Sequence, residues 1–285
     1  MGWGGVGGDL LGSETGMPQR YENYPRIALV TGADSGIGKA CAITLAKAGF
    51  DVGITWHEDS VGAERTATEV RAAGRRCVVA RLDLTLLPEA ASVIDELADG
   101  LHGIGVLVNN AGTGSSTPFV ETSYRQWREV LSVDLDGPFL CAQRAARRMR
   151  TAGTGGRIIN VTSVHEHAPK VGSAAYCAAK GGLGLLTKVM AQELAADGIT
   201  VNAVAPGEIS TPMNDQEDVD PFTEDRPGIP VGRPGDAREI AAVVALLASP
   251  AAAYVNGASW IVDGGMTLMG PQGAAHLEST GWRQP

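Results

Sequence analysis

Three side chains in one short part of the sequence have the types needed to move a proton to or from a substrate oxygen. They are Ser163, Tyr176 and Lys180. Tyr176 and Lys180 are four residues apart in a segment that favours helix, so we expect their side chains on one face, one turn apart. A phenol has a pKa near ~10, and an ammonium about 4 Å away at an effective dielectric of about 20 favours the phenolate by up to roughly 4 kcal/mol. The phenol would then titrate near neutral pH, and Ser163 could hydrogen-bond the same substrate oxygen.

A Tyr-x-x-x-Lys spacing alone is common, so Tyr176 and Lys180 could also be ordinary surface residues of a helix. The predicted elements around them distinguish this alternative from a catalytic role. Residues 157–163 contain the β-branched run Ile158, Ile159 and Val161 and predict a buried strand. Ser163 falls at its carboxyl end. In an open parallel sheet, ligands bind at that end of the strands.

A second motif is a glycine-rich turn near the start of the chain. The apolar segment 27–30 predicts a strand, and residues 39–48 predict a helix that stops at Gly49. Between them lie Thr31, Gly32, Gly36 and Gly38. Glycines let the backbone approach a pyrophosphate, and the helix amino terminus attracts its charge. This arrangement predicts a dinucleotide-binding turn.

The end of the next strand, 51–56, bears on the choice of coenzyme. A carboxylate that binds the ribose hydroxyls of NAD normally stands there, but this chain has Trp56 and His57, with Glu58 and Asp59 one or two residues late. His57 could contact a 2′-phosphate. NADP(H) is therefore slightly favoured over NAD(H).

Two further strand ends carry polar groups. Asp83 follows the predicted strand 77–82 and could accept a hydrogen bond from an adenine amino group. Residues 109–112, Asn-Asn-Ala-Gly, follow strand 106–108 and suit a loop beneath a flat ligand, although a purely structural turn is the alternative.

Strands and helices alternate seven times, which predicts a doubly wound parallel α/β sheet. The remaining predicted elements are helices 60–73, 88–99, 124–149 and 236–247 and strands 200–204 and 259–262. Residues 208–231 are rich in acids and prolines and are a candidate lid. One domain is expected over 26–270, with a flexible glycine-rich leader at 1–25 and a tail at 271–285.

Composition restricts the class of protein. The chain has 285 residues, 44% of them hydrophobic, and a net charge of −9. This acidity disfavours nucleic acid and anionic membranes as partners, and no apolar run approaches the ~20 residues of a membrane span. The four cysteines show no pairing pattern, so we expect reduced thiols and a cytoplasmic location.

The motifs together resemble the short-chain dehydrogenase/reductase family over nearly all of residues 26–265. They are the turn 31–38, the loop 109–112, Ser163 with Tyr176 and Lys180, and Pro206-Gly207 followed by Ile209 and Thr211. The stretches DSGIGK, FDVGITWH, VDLDGPFLC and SVHEHAP are similar to bacterial oxidoreductases near the acetoin/diacetyl reductases, and TSVHEHAP and DGGM to glucose dehydrogenases. The resemblance implies a Rossmann-type sheet in the order 3-2-1-4-5-6-7 and a homotetramer.

The resemblance also implies roles for residues. Tyr176 would be the general acid in reduction and the base in oxidation, Lys180 would assist it and bind the nicotinamide ribose, and Ser163 would orient the substrate with His165 nearby. The implied coenzyme contacts are Gly32, Asp34, Ser35, Gly36, Ile37, Gly38, His57, Asp83, Leu84, Asn110, Ala111, Gly112, Tyr176, Lys180, Pro206, Gly207, Ile209 and Thr211.

One position departs from the family pattern. Asp134 stands where the family usually has a catalytic Asn. An Asn amide donates and accepts and can hold a proton-relaying water, whereas an ionised Asp only accepts. We expect that Asp134 still serves the relay and raises the pKa of Lys180. His165, Glu166 and His167 are expected at the pocket mouth, with no metal, because no third ligand is evident.

Three functions remain open at this stage. The leading one is an NAD(P)-dependent oxidoreductase for a small polar ketone, diketone, polyol or sugar. The alternative within enzymes is a 3-oxoacyl-[acyl-carrier-protein] reductase, for which arginines 144, 147, 148 and 150 could dock an acidic carrier. Outside enzymes, the chain could be a cofactor-sensing binding protein without turnover, which the complete Ser-Tyr-Lys set disfavours.

Overall fold

Seven parallel strands form a single sheet in the order β3-β2-β1-β4-β5-β6-β7, as predicted. The computed structural model describes residues 23–114, 116–214 and 219–270, so the predicted tail and all but the last three residues of the predicted leader lie outside the described residues. The strands are β1 Ile27–Val30, β2 Asp51–Trp56, β3 Cys77–Arg81, β4 Val106–Asn109, β5 Gly156–Val161, β6 Ile199–Pro206 and β7 Ser259–Val262.

Seven α-helices cover both faces of this sheet within the described part of the chain. They are α1 Gly36–Lys47, α2 Ser60–Ala72, α3 Val93–Leu101, α4 Tyr124–Leu131, α5 Gly137–Ala152, α6 Ala174–Leu194 and α7 Ala237–Leu247. One core lies under α1, α2 and α7 and the other under α3 and α5. Central strands such as β1 and β5 are buried throughout, because helices cover both of their faces.

The strand order reverses between β1 and β4, which pair directly through Leu29 and Leu107. The chain moves outward from β1 to β3 and then returns to β4 on the other side. The loops after β1 and β4 therefore lead to opposite faces, and a crevice opens at the carboxyl ends of the strands between them.

The predicted long helix 124–149 is wrong in one respect, because it is interrupted by one turn of π-helix at Ser132–Asp136. Pro138 follows two residues after its end. A proline has no backbone N–H, and its ring clashes with the carbonyl four residues earlier, which here belongs to Asp134. A wider turn relieves that clash, and it separates α4 from α5.

None of the helices in the described ranges is long and apolar enough to cross a membrane.

Candidate active site

A cleft of about 1420 Å³ opens at the carboxyl ends of the strands. Every residue predicted to contact coenzyme or substrate lines it, except Gly38: Gly32, Asp34, Ser35, Gly36, Ile37, His57, Asp83, Leu84, Asn110, Ala111, Gly112, Ser163, His165, Tyr176, Lys180, Pro206, Gly207, Ile209 and Thr211. Asp134 lines it as well. Residues from six strand ends thus meet in one crevice.

The turn after β1 is shaped for a close approach of backbone and ligand. Gly32 and Gly36 have φ values of 61° and 51°, in the left-handed region that favours glycine. A Cβ on Gly32 would lie 2.9 Å from the Cα of Ala111. Ser35, the N-cap of α1, makes no side-chain cap hydrogen bond. The first backbone amides of α1 can therefore donate hydrogen bonds to a bound anion.

Gly38 lies behind this turn rather than in the cleft, which corrects its predicted role as a coenzyme contact. A Cβ there would be 2.0 Å from the carbonyl oxygen of Gly32 and 2.5 Å from Nδ2 of Asn110. Only glycine lets α1 pack this closely on the turn. Gly38 therefore shapes the turn without lining the cleft.

The loop after β4 is fastened to the same turn. Nδ2 of Asn110 donates to the carbonyl oxygens of Thr31 at 3.0 Å and Gly32 at 2.8 Å. The Thr31 hydroxyl oxygen accepts from the amides of Asn110 and Ala111, each at 3.0 Å. The Asn-Asn-Ala-Gly loop therefore fixes the shape of the glycine turn, whichever ligand lies above it.

Ser163 and Tyr176 are held by the loop after β5 and by the start of α6. β5 ends at Val161, two residues before Ser163, which caps a short 3-10 turn. Its hydroxyl accepts from the amide of His165 at 3.1 Å, and the residue is 6% exposed. The His165 ring lies 6.3 Å from the Tyr176 ring, edge to face, and its Nδ1 is 2.9 Å from the carbonyl oxygen of Ala168.

Lys180 lies one turn further along α6 and is almost fully buried. Its Nζ is 5.5 Å from the centre of the Tyr176 ring and donates to the carbonyl oxygen of Val161 at 3.3 Å. The same nitrogen is 3.1 Å from Oδ1 of Asp134. The cation is therefore held between a backbone carbonyl, a carboxylate and the phenol ring.

Asp134 and Lys180 form an ion pair that excludes water. The Asp134 side chain is 0% exposed and that of Lys180 is 4% exposed. Burial alone would lower the pKa of Lys180, but the adjacent Asp134 carboxylate raises it above its ordinary value. Burial raises the pKa of Asp134, and the Lys180 charge opposes that shift. The amide of Thr113 also donates to Asp134, at 3.2 Å. The carboxylate thus contacts the lysine directly and raises its pKa, as expected, and a water relay through Asp134 remains a prediction.

Glu166 and His167 do not line the cleft, which corrects their predicted place at its mouth. The Glu166 side chain is 4% exposed; its Oε1 lies 2.7 Å from Nε2 of His167 and accepts from the hydroxyl of Ser259 on β7. A buried carboxylate needs such partners, and β7 supplies one of them. In the described residues, no three His, Cys, Asp or Glu side chains form a group suited to a metal ion.

The end of the cleft bordered by β2 and β3, where the adenosine of a coenzyme is expected, is polar and acidic. Nε2 of His57 is 3.4 Å from Oδ2 of Asp83, and its Nδ1 is 3.8 Å from Oε1 of Glu58. The Thr85 hydroxyl donates to Asp83 at 2.6 Å and lowers the pKa of that carboxyl. Burial raises the pKa of Asp34, the carboxyl of the glycine turn.

Sequence reasoning missed several residues that line the cleft. Ser173 and Met213 come just before α6 and just after Thr211, so their proximity in sequence was an available signal. Glu129, Val133 and Met266 are brought in by helix packing and by the chain after β7, for which no local signal exists. The missed residues also include Thr55, Thr162, Val164, Pro169 and Lys170.

Comparison with known proteins shows which family this chain resembles. Residues 32–267 match a protein family described as "Enoyl-(Acyl carrier protein) reductase". The chain is 52% identical to an uncharacterized oxidoreductase, YohF, of Escherichia coli K12, over 87% of this chain and 98% of that protein. It is 38% identical to a 3-oxoacyl-[acyl-carrier-protein] reductase of Synechocystis, over 85% and 97%.

Solved structures are similar over the same range. The acetoin dehydrogenase YohF of Salmonella typhimurium superposes with a TM-score of 0.82 at 52% identity, over 87% of this chain and 98% of that one. A putative 2-deoxy-D-gluconate 3-dehydrogenase of Agrobacterium tumefaciens with bound NADP has a TM-score of 0.76 at 33% identity, over 87% and 99%. The chain therefore belongs to the short-chain dehydrogenase/reductase family of oxidoreductases, whose members bind NAD(P).

Proposed function

We propose that this oxidoreductase transfers a hydride between a nicotinamide coenzyme and a small polar carbonyl or alcohol, such as a diketone, an acetoin-like hydroxyketone, a polyol or a sugar. The observation that carries this proposal is the meeting of Ser163, Tyr176 and the buried Lys180 in one cleft with the glycine turn. The N-cap Ser35 leaves the first amides of α1 without a side-chain cap, so the turn can bind the anionic oxygens of a pyrophosphate. When bound, the nicotinamide supplies the hydride chemistry.

The chain's own residues handle the substrate oxygen and its proton. In reduction, the Tyr176 hydroxyl donates a proton to the carbonyl oxygen, and in oxidation the phenolate takes it back. The Ser163 hydroxyl donates a hydrogen bond to the same oxygen and orients it. The ammonium of Lys180, fixed by Asp134 at 3.1 Å, stabilises negative charge on the phenol oxygen.

A polar substrate is supported by the side chains that border Ser163 and Tyr176. His165, Lys170 and Ser173 line the cleft beside them and offer ring nitrogens, an ammonium and a hydroxyl. These groups can hydrogen-bond a second oxygen of a diketone, hydroxyketone or polyol. The substrate of an acetoin dehydrogenase, the name carried by one similar structure, has two such oxygens.

The experiment is a panel of carbonyls and alcohols followed by nicotinamide absorbance with NADH, NADPH and their oxidised forms. Diacetyl, acetoin, glucose and a 3-oxoacyl thioester represent the competing classes. We expect turnover with the small oxygen-rich compounds and little with the thioester. Activity with the thioester alone would reverse that order.

The second candidate is a 3-oxoacyl-[acyl-carrier-protein] reductase, favoured by the Synechocystis relative. The arginines expected to dock an acidic carrier argue against it. Arg144 and Arg148 pair with Asp95 at 2.6 and 3.3 Å, and Arg150 pairs with Asp197 at 2.9 Å. These partners reduce the positive charge available to a carrier.

The third candidate, a cofactor-sensing protein without turnover, shares the coenzyme cleft with the first. It gives no reason for a buried Lys180 beside Tyr176, since a sensor needs no proton donor. Turnover of any compound in the panel would exclude it.

We also propose a homotetramer in the cytoplasm. β7 is an edge strand of the sheet, and Ile261 on it is 45% exposed, which leaves an apolar edge for a second copy to cover. Cys41 and Cys141 are buried free thiols, which suits a reducing compartment. Light scattering coupled to size exclusion would measure the mass of the assembly.

A further inference from the structure

We infer that the adenosine end of the cleft selects NAD(H) and rejects NADP(H), because carboxylates surround the position of the ribose 2′ oxygen. This inference deepens the proposed function and depends on the cleft binding a nicotinamide coenzyme. It reverses the slight preference for NADP(H) that was predicted from His57. The residues that set the selection are Asp34, Glu58, Asp59 and Asp83.

These four carboxylates come from three segments that end at the same place. Asp34 belongs to the glycine turn, Glu58 and Asp59 follow β2, and Asp83 follows β3. All four line the cleft. The β1, β2 and β3 strands are neighbours in the sheet, so their carboxyl ends lie side by side.

Gly62 shows how close two of these segments are. A Cβ on this residue, in the first turn of α2, would be 2.7 Å from the carbonyl oxygen of Asp34 and 2.2 Å from Oδ2 of Asp59. The glycine turn and the loop after β2 therefore both pack against Gly62, where any side chain would clash. The carboxylates of these two segments share one small region.

His57 is already engaged by acids in this region. Its Nε2 lies 3.4 Å from Asp83 and its Nδ1 lies 3.8 Å from Glu58. Any positive charge that the ring acquired would be shared with these two carboxylates before it met a phosphate. A ring nitrogen can still hydrogen-bond a ribose hydroxyl, which is what NAD(H) presents at this position.

Two arginines adjoin these carboxylates without lining the cleft. Among the described residues that line the cleft, the only lysines or arginines are Lys170 and Lys180, and both belong to the segments around Ser163 and Tyr176. Arg65, on α2, pairs with Asp59 at 3.6 Å. Arg81, at the end of β3, donates through Nε to the backbone oxygen of His57 at 3.1 Å and lies 5.9 Å from the Trp56 ring.

The balance of charge therefore disfavours a 2′-phosphate. Proteins hold phosphates with arginine or lysine side chains, or with free backbone amides. A phosphate monoester carries about −1.5 to −2 charges at pH 7 and would meet four carboxylates here. The neutral 2′-hydroxyl of NAD(H) meets no such repulsion and can donate to a carboxylate.

The test measures binding of NAD⁺ and NADP⁺ to the full chain by calorimetry, which needs no substrate. We expect the dissociation constant of NADP⁺ to exceed that of NAD⁺ by about tenfold or more. Glu58→Gln and Asp34→Asn should each reduce that ratio by about threefold or more, and the double variant should reduce it further. Glu58 is 86% exposed, so its substitution leaves folding intact.

Glu64→Gln is the matched control. This variant also removes one negative charge, but from a residue on α2 that pairs with Arg71 at 2.5 Å and does not line the cleft. It should leave the ratio unchanged.

Two results would overturn the inference alone: equal or tighter binding of NADP⁺ by the wild type, or a ratio that Glu58→Gln and Asp34→Asn change no more than Glu64→Gln does. Failure of the wild type to bind either coenzyme would overturn the inference together with the proposed function.

Discussion

The two ends of the cleft handle charge in opposite ways. At the Tyr176 end, one cation and one carboxylate are buried against each other, with Lys180 4% and Asp134 0% exposed. At the adenosine end, the acids are partly open to water: Asp83 is 20% exposed and Glu58 86%. A buried ion pair interacts at short distance and is little screened by solvent, whereas exposed carboxylates attract or repel a charged ligand as it approaches. The first suits proton transfer, and the second suits discrimination between ligands.

Tyr176→Phe should have the largest effect and would separate the two ends most sharply. Removing the hydroxyl removes the proton donor, and general acid–base groups contribute about 10²- to 10⁴-fold to rate. We expect kcat to fall by about a hundredfold or more, while NAD⁺ still binds. Turnover within about tenfold of wild type would assign the proton to another group.

Gly38→Ala should come next, and it acts from behind the glycine turn. The added methyl would meet the carbonyl oxygen of Gly32 at 2.0 Å, so the glycine turn must shift. We expect coenzyme affinity to fall by about tenfold or more, because the turn then no longer fits a pyrophosphate. Gly100→Ala, whose methyl would meet only Val78 side-chain atoms at 3.5 Å, is the control and should bind normally. Equal binding by both variants would contradict the assigned role of Gly38.

Asp134→Asn tests the buried ion pair with Lys180 and should lower the rate less than the two variants above. The variant should keep at least about a tenth of the wild-type rate, because an amide can still accept from Lys180. The pKa of Lys180 should fall, since the Asp134 carboxylate raises it.

The pH profile of kcat/KM in the oxidation direction measures that shift. A rate loss much greater than tenfold would mean that the carboxylate has a function of its own. An unchanged profile would mean that the Asp134 carboxylate does not raise the pKa of Lys180.

Asp51→Asn should have the smallest effect and separates stability from selection. Asp51 begins β2, at the opposite edge of the sheet from the cleft, and its carboxylate lies 2.9 Å from Arg75 and 2.8 Å from Arg76. Burial alone would raise the pKa of this carboxyl, but hydrogen bonds and charge from the two arginines bring it below its ordinary value. We expect the variant to lower the free energy of unfolding by about 1–2 kcal/mol at pH 7.

The sign of its pH dependence follows from that direction. A carboxyl whose pKa is lower in the folded state stabilises the fold above its unfolded pKa, and the stabilisation is lost as pH falls through the folded pKa. The difference between wild type and variant should therefore shrink between about pH 5 and pH 3 in urea unfolding. Neither the coenzyme ratio nor kcat should change. A change in either would mean that a substitution far from the cleft can alter coenzyme binding or turnover, so that such changes would not identify residues of the cleft.

Local patterns were sufficient for the sheet and for the Tyr176 end. The strands are short β-branched runs, and Tyr176 and Lys180 are one turn apart on one helix, so their proximity follows from helix geometry alone. The direct contact of Asp134 with Lys180 did not follow, because it depends on a π turn that the segment's helical pattern concealed. The proline after it was the available signal.

Contacts between distant segments account for the other differences. Glu166 is held away from the cleft by Ser259, 93 residues later, and His57, which lines the cleft, contacts Asp83, 26 residues later. Side-chain type at one position carries no information about such partners. The candidate lid at 208–231 remains a prediction; Arg226, near its end, pairs with Glu208 at its start at 2.7 Å.

The π turn before Pro138 also sets the rotational phase of two helices. One extra residue in a turn rotates everything after it by about 100° around the axis. That offset allows Val130 on α4 and Cys141 on α5 each to stay buried while Asp134, between them, points at Lys180. Deleting a single residue from Ser132–Asp136 would restore an even helix and could keep only one of these orientations.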